Sequence, residues 1–238
     1  KGIVARVSNY VLGCDGNIIS SDQHSTDPEG GQFFMRVEFS FDEARVPREH
    51  IASGFAPLAS ALNAEYAFHF ASQRMKMGIL VSKYDHCLFE ILYRHRNGEL
   101  QVDIPLVVSN HPDLRELVET YGIPFAHVPA SSQNRRDAER KILDAFAENT
   151  DFLVLARYMQ ILTPEFFDDY PKDIINIHHS FLPSFKGANP YRQAYDRGVK
   201  IIGATAHYVT PELDEGPIIE QIVDRVSHRD DPEDLKRK

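Results

Sequence analysis

From Met77 onward the chain keeps one rhythm: a short apolar run, an amphipathic stretch, then another apolar run. Strands are expected at 78–81, 104–109, 124–128, 152–156, 174–177 and 201–209, with helices between most of them. One helix is expected over 112–121, where Leu114, Leu117, Val118 and Tyr121 share a face and Gly122 follows as the stop, and another over 135–148. Parallel neighbours need crossover helices, so the alternation predicts an α/β fold with a doubly wound, mostly parallel sheet. Such sheets bind their ligands outside the carboxyl ends of the strands, which is where chemistry should be sought.

Before Met77 the pattern differs. Ile3, Val7 and Val11 recur at helical spacing, with Gly13 able to supply a left-handed cap. A strand is expected at 17–25 and a turn at Asp27-Pro28-Glu29-Gly30-Gly31. A second strand follows, in which Phe33, Met35, Val37 and Phe39 alternate with Phe34, Arg36, Glu38 and Ser40. Pro47 suits the first turn of a helix carrying Ile51, Phe55, Leu58 and Leu62 on one face, and Tyr66, Phe68 and Phe70 alternate as a further strand. Helix, strand, strand, helix, strand is a βαββαβ order lacking its first strand. The expected organisation is a small α+β, ferredoxin-like domain over 1–70, a linker over 71–76 and the larger domain over 77–238. Both ends read as cut within an element, so a longer natural chain is expected.

A formal net charge of -9 argues against nucleic acid or an anionic membrane as main partner and leaves a small molecule as the better expectation. Cys14 and Cys87 stand far apart in no paired motif, which suggests neither a disulfide framework nor a thiolate zinc site and fits a reducing, cytoplasmic setting. No stretch approaches the roughly 20 apolar residues that span a bilayer.

The strand expected at 174–177 turns polar at its end. Asn176 and His178 stand two apart and therefore share a face. An amide donates a neutral hydrogen bond to a developing oxyanion, and an imidazole exchanges protons near neutral pH, so together they suit a tetrahedral intermediate at an acyl carbon. The following stretch, Ser180 to Gly187, has neither period, as if a backbone were steered around a substrate, and Gly187 permits close approach. On the next strand Thr205 and His207 again stand two apart, and Asp214 follows in a loop from which it could face Asn176 and His178. It could orient a water, accept its proton or hold the imidazole's ionisation state; spacing leaves these open. A metal-hydrolase reading of His178, His179, His207 and Asp214 competes but is weaker: adjacent strand residues face opposite ways, and no chelating pair such as HExxH occurs.

The run from Asn176 through His179 to Phe185, with Leu213-Asp214-Glu215-Gly216 downstream, resembles the signature of folate-dependent formyltransferases. The resemblance extends from about Met77 to the end, and Arg157, Met159, Gln160, Ile161 and Leu162 fall in a segment similar to the one lining that family's pterin pocket. It implies catalytic roles for Asn176, His178 and Asp214 on the formyl group of 10-formyltetrahydrofolate. It implies substrate contacts from that segment and from Thr205, His207, Glu212, Leu213 and Gly187, with no metal or other cofactor.

Family members that formylate glycinamide ribonucleotide carry a Gly-rich loop after the first strand to cradle phosphate. Here that place reads Val81-Ser82-Lys83-Tyr84-Asp85-His86, which disfavours that acceptor. A tRNA-directed member would need a further basic domain. The N-terminal segment resembles an ACT domain, a small-molecule regulatory module. An ACT domain joined to this fold resembles the branch of the family that passes the formyl group to water, giving formate for purine biosynthesis and tetrahydrofolate. That branch implies an amino-acid effector, methionine or glycine, and a homo-oligomer. Transfer to an amine acceptor and a non-catalytic folate or amino-acid sensor are the alternatives.

Overall fold

The computed structural model describes residues 2–27, 29–185, 187 and 189–237, so Pro28 of the expected turn and Lys186 of the expected loop lie outside the described residues. The chain divides into two compact units, 1–72 and 73–238.

The first unit contains α1 (Ile3–Gly13), β1 (Asn17–Ser25), β2 (Phe33–Ser40) and α2 (Arg48–Leu62). β1 and β2 pair antiparallel. In β2 Met35, Val37 and Phe39 are half-buried while Arg36, Glu38 and Ser40 are exposed, the period of two that its sequence carries. Gly13 remains inside α1, and the left-handed position after the helix belongs to Asp15 (φ 55°), whose short polar side chain tolerates it. The strand expected at Tyr66, Phe68 and Phe70 does not form. The last strand of a βαββαβ sheet pairs with the first, and residues 1–72 provide no such neighbour among those described. The rings pack instead: Phe55 meets Tyr66 and Phe68 edge-on at centroid separations of 5.0 and 5.6 Å, and Phe41 meets Phe70 at 6.2 Å.

The second unit runs β3 (Met75–Val81), α3 (His86–Arg96), β4 (Val102–Asp103), β5 (Val107–Ser109), α4 (Arg115–Thr120), β6 (Phe125–His127) and α5 (Arg135–Phe146). It continues with β7 (Phe152–Ala156), α6 (Pro164–Asp169), β8 (Ile174–His178), α7 (Pro190–Asp196), β9 (Ile201–Tyr208), β10 (Ile218–Arg225) and α8 (Pro232–Arg237). The sheet order is β10-β9-β8-β7-β3-β5-β6, with β4 beside β3. Ladders from β8 across to β6 are parallel, whereas β9 runs antiparallel to both β8 and β10.

Three elements start three residues away from expectation. β3 starts inside the expected linker because Met75 and Lys76 pair with β4, a two-residue strand with no readable period. β5 is shorter than 104–109 because Pro105 has no N–H to give a ladder. α4 begins at Arg115, after a turn closed by the Arg115 N–H donating to Pro112 O at 3.1 Å.

Apolar side chains pack both faces of the parallel strands. Ile79, Val81 and Val107 lie with Leu88, Leu92 and Val118 on one side; Leu80, Val108 and Leu153 lie with Ile142, Phe146 and Phe166 on the other. Burial on both faces is why these strands read as continuous apolar runs. At roughly 1.5–3 kcal/mol for each fully buried large apolar side chain, this packing is a large part of what holds the strands together.

Candidate active site

β8 and β9 carry the site. Their antiparallel register sets Asn176 opposite His207 and His178 opposite Thr205. Asn176 Nδ2 lies 3.2 Å from His207 Nε2, and His207 Nδ1 lies 2.9 Å from Tyr208 O. A carbonyl only accepts, so His207 Nδ1 donates; in the neutral ring Nε2 then accepts from Asn176, which fixes the amide, and among the described residues nothing takes the second Nδ2 hydrogen. His207 is buried and acts on the amide.

Asp214 reaches the same place from the loop between β9 and β10. Its Oδ1 stands 3.4 Å from His178 Nδ1, with both side chains over nine-tenths buried. Its Oδ2 accepts the Gly187 N–H at 3.2 Å. The other ring nitrogen, His178 Nε2, lies 3.4 Å from Phe185 O. The imidazole thus faces two acceptors and, when neutral, has one hydrogen to give, so it is placed to gain and lose a proton without moving. Asp214 has φ 57°, and a side chain at Gly216 would put its Cβ 1.8 Å from Tyr208 O, so the loop closes only with glycine there.

The segment after β8 is pinned from below. Thr205 is fully buried; its hydroxyl donates to Ser180 O at 2.8 Å and accepts the Leu182 N–H at 3.1 Å. Gln221 of β10 donates to Leu182 O at 2.9 Å and to Thr205 Oγ1 at 3.0 Å. Thr205 therefore positions the loop. Gln221 escaped the sequence reading because Ile218-Ile219-Glu220-Gln221-Ile222-Val223 keeps neither period, and β10 is nearly all exposed.

After β7 the chain alternates. Tyr158 and Leu162 are buried in the core, while Met159 and Ile161 are 56% and 53% exposed; Leu213 is 52% exposed. The Met159 N–H donates to Ser82 Oγ at 2.9 Å, and Ser82 donates to Asn110 Oδ1 at 2.7 Å. These polar tips of β3 and β5 were missed, and the switch from apolar run to Ser82 and Ser109 was the available signal. Gln160 donates to Met159 O at 3.0 Å, and Glu212 is exposed, its carbonyl accepting from Thr210 Oγ1 at 3.1 Å. Arg157, at φ 60°, reaches His179, with Nη1 2.7 Å from Nδ1. Burial, then the charges of Arg157 and His178, hold the His179 pKa down at about 4. Among the described residues no three His, Cys, Asp or Glu side chains group as a metal site would, and no helix is long and apolar enough to cross a membrane.

An amide, an imidazole and a carboxylate thus gather at the carboxyl ends of a mostly parallel sheet, an arrangement suited to an enzyme acting at a carbonyl carbon. The chain belongs to the formyl transferase family, which matches it over residues 75–238. Within that family it groups with the formyltetrahydrofolate deformylases. It is 50% identical over 240 residues to formyltetrahydrofolate deformylase of Synechocystis sp., covering 100% of this chain and 83% of that protein. The crystal structure of a formyltetrahydrofolate deformylase from Pseudomonas syringae pv. tomato is similar with TM-score 0.91 at 45% identity, covering 99% of this chain and 79% of that one. Glycinamide ribonucleotide transformylase 1 from Symbiobacterium toebii is similar at TM-score 0.65 and 32% identity, over 73% of this chain and 82% of its own.

Proposed function

We propose that this chain hydrolyses 10-formyltetrahydrofolate to formate and tetrahydrofolate, with water as acceptor of the formyl group. The supporting observation is the buried contact of Asp214 with His178, 3.4 Å apart, beside an Asn176 amide whose free hydrogen is fixed by His207. In the proposed sequence Asp214 takes a proton from water, whose oxygen bonds to the formyl carbon. The free Nδ2 hydrogen of Asn176 and the His178 ring stabilise the resulting oxyanion. Asp214 passes that proton to His178, which gives it to the departing nitrogen as the carbon–nitrogen bond breaks; the formic acid then gives its remaining proton to Asp214, and on to solvent, and leaves as formate.

Exposed Met159, Ile161 and Leu213 support a flat apolar ligand surface next to this chemistry, with Gln160 and Glu212 at its edge and Leu162 backing it from the core. Tyr84 and Asp85, standing where a phosphate cradle would need bare N–H groups, support water over a phosphorylated acceptor. Incubation with 10-formyltetrahydrofolate alone tests the reading: formate release at catalytic rate without any added amine is expected, and release only after an amine acceptor is added contradicts it.

For the first unit the same resemblance supports an ACT-type domain taking an amino-acid effector, methionine or glycine, and assembling copies of the chain into a homo-oligomer. Exposed Ile18, Ile19, Phe33 and Phe34 on β1 and β2 offer apolar surface for such pairing. The free thiols of Cys14 and Cys87 fit a cytoplasmic location.

A further inference from the structure

Among the described residues Arg157 is a half-buried cation with no carboxylate bonded to it. It follows β7 directly, and its left-handed backbone (φ 60°) precedes a side chain that crosses to the end of β8. Nη1 meets His179 Nδ1 at 2.7 Å, the guanidinium stands over the Tyr84 ring at 5.7 Å, and Nε is buried without a hydrogen-bond partner. Among the described residues no carboxylate pairs with it. Its charge acts electrostatically on His86, Cys87, His179 and Tyr191, while Asp85 acts on His86 and Asp214 on His179. With His179 held neutral, its Nδ1 accepts from Arg157, and among the described residues the guanidinium keeps its charge with no carboxylate bonded to it.

Leaving a guanidinium partly desolvated without a carboxylate partner is costly, and the partner that repays it best is a planar oxyanion matched to the guanidinium's parallel N–H donors. We propose that Arg157, flanked by His179 and Tyr84, holds a small carboxylate anion, and that this anion is the formate released at the neighbouring centre. The identity of the anion rests on the hydrolytic reading; the existence of the site does not. The His178 and His179 ring centroids are 5.5 Å apart, so the site adjoins the centre without sharing its groups. Once Asp214 has lost its proton again, its carboxylate repels the formate while Arg157 attracts it, which draws product out of the way of the next water.

The test uses [13C]formate and needs no turnover. Saturable binding to the wild-type protein is expected, with the His179 ring resonances shifting as formate is added and chloride failing to compete. Arg157→Gln should weaken binding about tenfold or more, Arg157→Lys should retain part of it, and Asn176→Ala should leave it intact. Absence of saturable binding, unmoved His179 resonances in the wild type, or equal affinity in Arg157→Gln would overturn the site. Inorganic phosphate binding more tightly than formate would overturn the choice of anion and assign the site to a phosphorylated ligand. Failure of hydrolysis itself is read separately, from formate release, so the two readings fall independently.

Discussion

Asp214 Oδ1 lies 3.4 Å from His178 Nδ1, and the two side chains are 6% and 7% exposed. Charge separated from solvent acts at a higher effective strength, so the carboxylate and the imidazole form one coupled pair. Groups coupled this closely are expected to fail together. His178→Asn and Asp214→Asn should each remove most of the turnover, and the double variant should lose little more than the worse single one. Losses that multiply would show that the two act separately.

Asn176 contributes a donor whose direction His207 fixes. Replacing it by Ala removes the oxyanion donor and should cost about 100 to 1000-fold in turnover, as loss of one such donor does elsewhere, with little change in substrate affinity. Steady-state kinetics of Asn176→Ala check this; undiminished turnover refutes the role.

Thr205→Val keeps the shape of the side chain but strips the Leu182 N–H and the Ser180 carbonyl of their buried partner. The cost should be about 1–3 kcal/mol in denaturant unfolding at an unchanged slope. An unchanged midpoint would mean the loop is held by other contacts.

His179 should remain neutral far below the ordinary histidine range. Its folded pKa of about 4 lies under the unfolded value of 6.5, so the unfolded chain binds the proton first. The stability carried by the neutral ring is therefore whole above pH 6.5 and erodes as pH falls from 6.5 toward 4. Imidazole resonances followed by NMR should show this ring still neutral at pH 5; a midpoint near 6.5 would contradict its burial against Arg157.

Much of this was legible in the residues. Asn176 and His178 stand two apart at the end of an apolar run, and a strand's period of two leaves them no choice but a common face. Asp214 could be read as a loop carboxylate within reach, but its contact with His178 depends on β9 running antiparallel to β8, which strand period does not encode. The opposite failure occurred at Tyr66, Phe68 and Phe70: alternation was present, but a strand also needs a neighbour to bond, and the rings turned to Phe55 and Phe41 instead. Gln221 stayed hidden on an exposed edge strand whose side chains bury too little to impose a pattern. Arg157 was read as part of a pocket wall. Its turn toward His179 comes from a left-handed backbone that arginine seldom adopts and that sequence does not announce.

The most direct test is the turnover of Asp214→Asn with 10-formyltetrahydrofolate and no amine, once its fold is matched to the wild type by circular dichroism. Asparagine keeps the size of the side chain but cannot accept the proton of water, so formate release should fall by about 100 to 10,000-fold. Release at the wild-type rate would mean that the carboxylate takes no part in activating water, and the arrangement of Asp214, His178 and Asn176 would need another explanation.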